Sequence, residues 1–229
     1  MTESILSARD IRKTYGSGSS AFEALRGVSL DIRAGESVAI IGKSGSGKST
    51  LMHLLALLDT PTGGAVLLDG RDATELHRGD LNRARNRTFG FVFQQFFLTP
   101  SQTVLENVLL PLKIAGVGRR ARRERAMAAL TRLELADKAK NRAVDLSGGQ
   151  KQRAVIARAL VAEPRVIFAD EPTGNLDSTT GRIVEDILFG LNREQGITLV
   201  IVTHDDELAA RCDRRIRVHD GVILEEVAA

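Results

Sequence analysis

Residues 37–55 read SVAIIGKSGSGKSTLMHLL and carry the strongest structural pattern in this chain of 229 residues. The apolar run SVAII is typical of a buried strand, and STLMHLLALL after the glycines has the period and length of a helix. Four residues between them have the spacing of a phosphate-binding loop: Gly42, Gly47, Lys48 and Ser49. Glycines let backbone N–H groups converge on phosphate oxygens, and the helix N-terminus adds partial positive charge. The stretch therefore predicts a strand, a phosphate loop and a helix in that order.

The loop also supplies a charge and a metal ligand. Lys48 brings a full positive charge to the phosphates, and the Ser49 hydroxyl is an oxygen ligand suited to Mg²⁺. We expect the whole loop to contact a nucleotide, through Gly42, Lys43, Ser44, Gly45, Ser46, Gly47, Lys48, Ser49 and Thr50.

The rest of the chain alternates strand-like and helix-like segments. Short apolar runs separated by glycine turns fill the first third, and residues 103–160 have helical period. The last third returns to strands and helices, in VIFAD, TTGRIVEDILFGLNREQG, TLVIVTHD and DDELAARCD. Continuous apolar strands between helices indicate a parallel sheet covered on both faces. The predicted fold class is therefore α/β, with the helical middle inserted between strands.

Polar residues follow two of these predicted strands. Asp170 ends the strand in RVIFADEPTGNLD, where it can reach Mg²⁺, and Glu171 beside it can orient or deprotonate an attacking water. A solvated acidic turn is the alternative for this pair. His204 ends the strand in TLVIVTHD, and its position alone leaves a structural role and a phosphate-contacting role equally open.

Residues 145–160, DLSGGQKQRAVIARAL, place a second glycine turn at the start of a second helix. Ser147 is a favoured helix N-cap, and Gly148 and Gly149 permit close approach to the backbone. The segment lacks a Lys and a Ser at phosphate-loop spacing, so it cannot build an independent site for a nucleotide with Mg²⁺. An anion clamp without its own metal and an ordinary helix start both remain open.

Composition limits the class of protein. A hydrophobic fraction of 43% with 27% charged residues excludes a disordered or fibrous chain, and the length allows one domain with a subdomain. No leader peptide is expected, because the sequence has no N-terminal basic segment followed by an apolar run and a small-residue cleavage site. No membrane span is expected, because the most apolar stretch, VLLPLKIAGV, is interrupted by Pro111 and Lys113. Cys212, the single cysteine, is expected to be a reduced thiol of a cytosolic protein.

The Arg-rich residues 118–133 are expected to form the solvated face of an amphipathic helix, with nucleic acid or anionic lipid as the alternative partner.

Together these motifs resemble the ATP-binding-cassette (ABC) ATPase family. GKSGSGKST, a glutamine after a strand in FVFQQ, LSGGQ, VIFADE, GNLD and a strand-end histidine occur in that family's order along essentially the whole chain. The resemblance implies a phosphate-loop ATPase core with a parallel sheet, an N-terminal antiparallel β subdomain and an inserted α-helical subdomain at about residues 97–160. All of these belong to a single domain, residues 1–229. It also implies ATP as the nucleotide and a homodimer in which each LSGGQ closes on the γ-phosphate held by the other chain.

The resemblance further implies roles for single residues. Glu171, His204 and Gln94 are the implied catalytic residues, and Gln95 is a less favoured alternative to Gln94. Mg²⁺ would be held by Ser49, Gln94 and Asp170. The remaining nucleotide contacts are Tyr15, which would stack on adenine, and a set supplied across the dimer: Ser147, Gly148, Gly149, Gln150 and Asp177.

Within the family the chain is similar to the MacB, LolD and FtsE group, in stretches such as LLDTPTGGAV and TVLENVLLPL. This similarity implies an integral membrane permease as partner, a place on the cytoplasmic face of the inner or plasma membrane, and export of an antibiotic, peptide or lipoprotein. No specific nucleic acid is expected. Lys43, Thr99 and the RAVD before LSGGQ depart from the group's usual residues, and the last two bear on which permease is bound.

Two other functions remain as alternatives. A nucleotide kinase would use the same phosphate loop but would leave LSGGQ and GNLD without a role. A non-transport cassette acting in cell division, assembly or nucleic-acid processing would share every motif, and the Arg-rich helix is the feature that favours it.

Overall fold

A computed structural model describes residues 4–228 of the chain. The strands are β1 (Ser4–Tyr15), β2 (Phe22–Arg33), β3 (Ser37–Ile41), β4 (Gly63–Leu68), β5 (Arg71–Asp72), β6 (Phe89–Phe93), β7 (Val166–Asp170), β8 (Thr198–Thr203), β9 (Arg214–His219) and β10 (Val222–Ala228). The α-helices are α1 (Lys48–Leu55), α2 (Arg78–Thr88), α3 (Val104–Val108), α4 (Leu110–Ile114), α5 (Arg119–Arg132), α6 (Gly148–Leu160), α7 (Ser178–Gln195) and α8 (Asp206–Ala210). These elements form two compact units: residues up to 82 together with those from 192 onward, and residues 83–191.

The first unit contains an antiparallel sheet and a group of parallel strands. The antiparallel sheet has the order β2-β1-β4-β5, which confirms the expected N-terminal β region. Strand β3 pairs in parallel with β8 on one side and β9 on the other, and β10 adds to β9 in antiparallel orientation. Every residue of β3 and β8 is buried, as expected for apolar strands covered on both faces.

The second unit is built around β6 and β7, which pair in parallel from Phe89 opposite Val166 to Phe93 opposite Asp170. Helix α6 packs closely on β6, since a Cβ atom at Gly90 would lie 2.8 Å from the Ala159 carbonyl oxygen. Helices α3 and α5 pack on α6 in turn. The helical middle of the sequence is therefore helical in the structure, in four pieces from α3 to α6.

The structure differs from the sequence patterns at three places. ENVLLPLKIAG forms two short helices instead of one, with Leu109 between α3 and α4 and Pro111 in the first turn of α4. Proline lacks the N–H that a continuous helix needs. Helix α2 was not predicted because it has no apolar stripe; Thr88 is its one buried residue. The C-terminal hairpin of β9 and β10 was also missed.

The Arg-rich segment forms helix α5 as predicted. Ala126, Leu130 and Leu133 are buried, while Met127 is only half-buried. Cys212 is buried and forms no disulfide, and burial raises the pKa of its thiol to about 12. None of the helices within residues 4–228 combines the length and the apolar character needed to span a membrane.

Candidate nucleotide-binding site

The phosphate loop joins β3 to α1, and backbone from β2 and β9 limits its shape. A Cβ atom at Gly42 would overlap the carbonyl oxygen of Val218. One at Gly47 would lie 2.7 Å from the carbonyl oxygen of Ala24, and Gly47 has a φ of 105°, which L side chains rarely adopt. Since main chain cannot move aside as a side chain can, both positions require glycine.

The loop has the features of an anion cradle. Gly47 is the N-cap of α1 and gives its first turn no side-chain hydrogen bond, and first-turn amides have no partner within a helix. The Lys48 ammonium donates to the carbonyl oxygens of Gly42 at 2.8 Å and Lys43 at 2.9 Å, which holds the charge against the loop. Ser46 is 3% exposed, and its buried hydroxyl has no hydrogen-bond partner among the described residues. Uncapped amides, a lysine and an orphaned hydroxyl together fit a phosphate group.

The outer part of the loop is open to solvent. Lys43, Ser44, Gly45 and Ser49 are exposed, and Thr50 is half-buried. The Ser49 hydroxyl, in the first turn of α1, is accessible to a ligand.

His204 lies beside the phosphate loop because of strand register. Ile41 at the end of β3 pairs with Thr203 at the end of the parallel strand β8. Gly42 and His204 are the next residues, so they leave neighbouring strands at the same edge. His204 is exposed, and Asp205 after it caps α8 by accepting the amides of Glu207 and Leu208. This position favours the phosphate-contacting role that the sequence left open.

Tyr15 ends β1 in the same unit and is 41% exposed. Its hydroxyl donates to Asp59 Oδ2 at 3.0 Å, and the Lys13 ammonium lies 4.9 Å from the ring centroid. An exposed aromatic ring held at one edge is suited to stacking on a base. Its role as the adenine platform stays a prediction.

Strand register also brings two predicted site residues together in the second unit. Phe93 at the end of β6 pairs with Asp170 at the end of β7, so Gln94 and Glu171 leave neighbouring parallel strands at one edge. Glu171 has a φ of 45°, a left-handed backbone that is unusual for a non-glycine residue.

Asn175, to which the sequence gave no role, ties these residues together. Its side-chain amide donates to the Gln94 carbonyl oxygen at 2.8 Å. A Cβ atom at Gly174 would lie 2.7 Å from Gln94 Nε2, so the glycine in GNLD gives room to the glutamine. The amide of Gly174 also donates to the Glu171 carbonyl oxygen at 3.1 Å. The GNLD segment thus holds the main chain of both predicted catalytic residues of this unit and packs against the Gln94 side chain.

The LSGGQ segment starts α6 with a capping box. Ser147 Oγ accepts the Gln150 amide at 3.3 Å, and Gln150 Oε1 accepts the Ser147 amide at 3.0 Å. This confirms Ser147 as the N-cap. Ser147 and Gly148 are exposed, and Gly148 packs beside Leu176 with room for a Cβ atom at 3.5 Å. The amides of the first turn therefore open onto the surface.

Asp177 lies next to this helix end. A Cβ atom at Gly149 would overlap the Thr180 methyl group, so α6 and the start of α7 are in close contact. Asp177 accepts the Thr180 amide at 3.0 Å, and hydrogen bonds from the Thr180 side chain and amide hold the pKa of the exposed Asp177 carboxyl below its usual range. Asp177 and LSGGQ thus share one exposed surface of the second unit.

Two further residues on α6 were missed by the sequence analysis. Gln152 is 1% exposed, and its side-chain amide donates at 2.6 Å to the carbonyl oxygen of Pro172, the residue that follows Glu171. Arg158 donates to the carbonyl oxygens of Phe96 at 3.0 Å and Phe97 at 2.6 Å, and burial lowers the pKa of its guanidinium. Neither has a local pattern that marks it, since each contacts residues far away in sequence.

The structure thus brings the predicted residues together in two sets, one in each unit. The phosphate loop, Tyr15 and His204 belong to the first, and Gln94, Asp170, Glu171, Asp177 and LSGGQ belong to the second. Within residues 4–228, no cluster of three or more His, Cys, Asp or Glu side chains is able to hold a metal by itself.

Comparison with known proteins identifies the family. The family model described as ABC transporter matches residues 25–174, about two thirds of the chain. The chain belongs to the ABC transporter family. The matched range contains the phosphate loop, LSGGQ and Glu171 of this cassette, while Tyr15, Asp177 and His204 lie outside it.

Relatives and solved structures agree with this assignment. The cassette is 51% identical to the macrolide export ATP-binding/permease protein MacB of Brucella melitensis, over 97% of this chain and 34% of MacB. It is 47% identical to the lipoprotein-releasing system ATP-binding protein LolD of Syntrophus aciditrophicus, over 96% of this chain and 99% of LolD. The chain therefore spans about a third of the length of the MacB relatives. The structure of the dimeric ATP-binding cassette MJ0796 bound to ADP and Pi superposes with a TM-score of 0.88 at 42% identity, covering 97% of this chain and 98% of that one.

Proposed function

We propose that this cassette binds and hydrolyses ATP as one half of a head-to-tail homodimer, and that the dimer drives an integral membrane permease. The observation that carries the proposal is the presence of two different helix N-termini on one chain. One is an uncapped phosphate loop with its own lysine, and the other is the exposed LSGGQ turn, which lacks one. A turn that cannot hold a nucleotide alone can complete the site of a second chain.

In this proposal the chain's own groups divide the chemistry. Lys48 and the α1 amides bind the β- and γ-phosphates, and His204 contacts the γ-phosphate from the neighbouring strand. Glu171 orients the attacking water and accepts its proton. Mg²⁺ would neutralise phosphate charge; its ligands would be the Ser49 hydroxyl, the Gln94 amide oxygen and the Asp170 carboxylate, the oxygen donors that this ion prefers.

The exposed LSGGQ turn and the exposed Asp177 support the proposed dimer. Ser147, Gly148 and Gln150 would contact the γ-phosphate of the other chain, with Gly149 allowing the close packing behind them. We also propose that residues 97–160 act as the inserted helical subdomain of a single cassette domain, residues 1–229.

The membrane partner rests on the relatives. MacB is named as an export ATP-binding/permease protein and LolD as part of a lipoprotein-releasing system. We propose that this cassette likewise works at the cytoplasmic face of the inner or plasma membrane beside a permease, and exports an antibiotic, a peptide or a lipoprotein.

The deciding experiment measures the mass of Glu171→Gln in solution by light scattering, with and without ATP and Mg²⁺. The substitution removes the group that acts on water and keeps its size, so ATP should bind and convert monomer to dimer. Gly148→Trp in the same background is the matched control, since it blocks the proposed interface and should bind ATP as a monomer. A Glu171→Gln protein that binds ATP and stays monomeric, or that hydrolyses ATP at the wild-type rate, would contradict the proposal.

A further inference from the structure

The segment DTPT, residues 59–62, has no part in the proposed chemistry, yet it is joined to the end of β1. The amide of Thr62 donates to the Arg12 carbonyl oxygen at 2.8 Å, and the Thr14 amide donates to Thr62 Oγ1 at 3.2 Å. These bonds flank Lys13 on both sides. The segment after α1 is thereby fixed to the residues that lead into Tyr15.

Lys13 between them carries a buried charge. It is 8% exposed, and its ammonium donates to Asp59 Oδ1 at 2.7 Å and to the Thr60 carbonyl oxygen at 2.7 Å. The same ammonium lies 4.9 Å from the centre of the Tyr15 ring, within range of a cation–π interaction. A lysine is rarely buried unless it is paired, so this contact set requires the Asp59 carboxylate.

One carboxylate serves both the lysine and the tyrosine. Asp59 Oδ1 accepts from Lys13, and Asp59 Oδ2 accepts the Tyr15 hydroxyl at 3.0 Å. Burial alone raises the pKa of Asp59, but hydrogen bonds from Lys13, the Thr60 amide and Tyr15 together hold it below its usual value. The ring is thus held by its hydroxyl at one end and by a cation near its face.

The position of the ring relative to the phosphate loop follows from strand pairing. Tyr15 pairs with Phe22 across the β1–β2 hairpin. Ala24, two residues further along β2, is the residue whose carbonyl oxygen would lie 2.7 Å from a Cβ atom at Gly47. Two strand residues span about 7 Å, and a cross-strand pair about 5 Å. The main chain of Tyr15 is therefore separated by one cross-strand pair and two strand residues from the backbone that packs against Gly47, in the same unit as the phosphate loop.

We propose that Lys13 and Asp59 are positioning residues that hold Tyr15 as a preformed platform for the nucleobase, although neither touches the nucleotide. This inference rests on the proposed function, in which Tyr15 stacks on adenine. Because Lys13 and Asp59 already hold the Tyr15 ring in position, binding of the base does not have to order it. The two residues therefore contribute to affinity for the base and not to affinity for the phosphates.

The test compares the Kd of ADP with the Kd of inorganic pyrophosphate, which keeps the phosphates and lacks the base. Full-length wild type, Asp59→Asn, Tyr15→Ala and the double variant are titrated calorimetrically. Loss of base stacking should weaken ADP about tenfold in Tyr15→Ala, and loss of positioning about threefold in Asp59→Asn. Pyrophosphate should bind all four alike, and Asp59→Asn should have no further effect once Tyr15 is replaced.

A matched control breaks a comparable ion pair on the same sheet. Arg9 donates to Asp31 at 2.7 Å, and Asp31→Asn should leave both dissociation constants unchanged. Tyr15→Phe is the milder second variant if Asp59→Asn folds poorly; it removes only the bond to Asp59 and should weaken ADP in the same direction.

The outcomes separate this inference from the proposed function. Equal weakening of ADP and pyrophosphate by Asp59→Asn would overturn the inference, because the pair would then act through the phosphate loop. ADP weakened by Tyr15→Ala but not by Asp59→Asn or Tyr15→Phe would also overturn it and leave the proposed function standing. A wild-type chain that binds neither ligand would overturn both.

Discussion

The N-termini of α1 and α6 both contain glycines, yet they are built in opposite ways. Helix α1 begins after Gly47, which offers no side chain to the first-turn amides. Helix α6 begins after Ser147, whose hydroxyl and partner Gln150 satisfy two amides reciprocally. The first end is left open for an anion within its own loop. The second is closed by its own capping box, although Ser147 and Gly148 are exposed.

The glycines differ in the same sense. Gly42 and Gly47 are enclosed by main-chain carbonyl oxygens of β9 and β2, so the phosphate loop has one shape. Gly149 is crowded by a single methyl group, that of Thr180. A site that binds the nucleotide first gains from a rigid cradle. In the proposed dimer, the LSGGQ turn requires only that α6 and residues 174–177 keep their contacts with each other.

The largest effect should come from breaking the open end. Lys48→Ala removes the ammonium held against the loop carbonyls and should weaken ATP binding about 10- to 100-fold, since a hydrogen bond to a charged group contributes about 1.5–3 kcal/mol. Titrating each variant with ATP measures the change in Kd. Lys140→Ala, an exposed lysine in the other unit, is the control and should bind ATP like the wild type. Equal loss in both would mean that net charge, and not the loop, governs affinity.

The two ends also differ in how far the sequence predicted them. The strand, the loop glycines and the start of α1 follow from local spacing, because a phosphate loop is a contiguous motif. Ser147 was predicted as a cap for the same reason. The contacts that brace the second end were not: Gln152 reaches Pro172, and Asn175 reaches Gln94, across distances that no local pattern encodes.

The missed helix and the missed lysine both lack a local hydrophobic pattern that would mark them. Helix α2 has almost no buried residue, so hydrophobic periodicity gave no signal there. Lys13 was overlooked because a lone lysine in a strand reads as a surface residue, whereas its partner Asp59 lies 46 positions away. The family resemblance supplied the roles of Tyr15, Gln94 and Asp177; their residue types alone did not.

The methyl group of Thr180 should limit which residue can replace Gly149 in the LSGGQ turn. Gly149→Ala should destabilise the nucleotide-free chain by about 1–3 kcal/mol, because the added Cβ overlaps Thr180, although alanine is the better helix former. Thr180→Ser in the same chain removes that methyl and should restore the stability measured by urea unfolding. Gly148→Ala, whose Cβ would meet Leu176 at 3.5 Å, should cost little. Failure of Thr180→Ser to restore stability would mean that the backbone, as at Gly42, sets this position.

The third prediction separates capping from closure. Ser147→Ala removes the cap of α6 and should cost about 1 kcal/mol of stability in thermal unfolding. Thr103→Ala breaks the matching capping box of α3 with Glu106 and should cost a similar amount. Only Ser147→Ala should also weaken ATP-driven dimerisation of the Glu171→Gln chain. If Thr103→Ala weakened dimerisation equally, the serine would matter for helix stability alone.

The smallest effect should be a pH dependence of stability that comes from Asp177 and has no counterpart at the N-terminus of α1. Because the folded chain holds the pKa of Asp177 below its usual value, the carboxylate's contribution to stability is present above the unfolded pKa of about 3.9 and is lost as pH falls through the folded pKa. The gap in Tm between wild type and Asp177→Asn should therefore be constant from pH 7 to about 5 and shrink below about 4. The N-cap of α1 is Gly47, which has no titratable side chain, so the gap in Tm between wild type and Lys48→Ala should not shrink in this way. If the gap in Tm shrank at low pH for Lys48→Ala and not for Asp177→Asn, the assignment of the pH dependence to the Asp177 surface would be wrong.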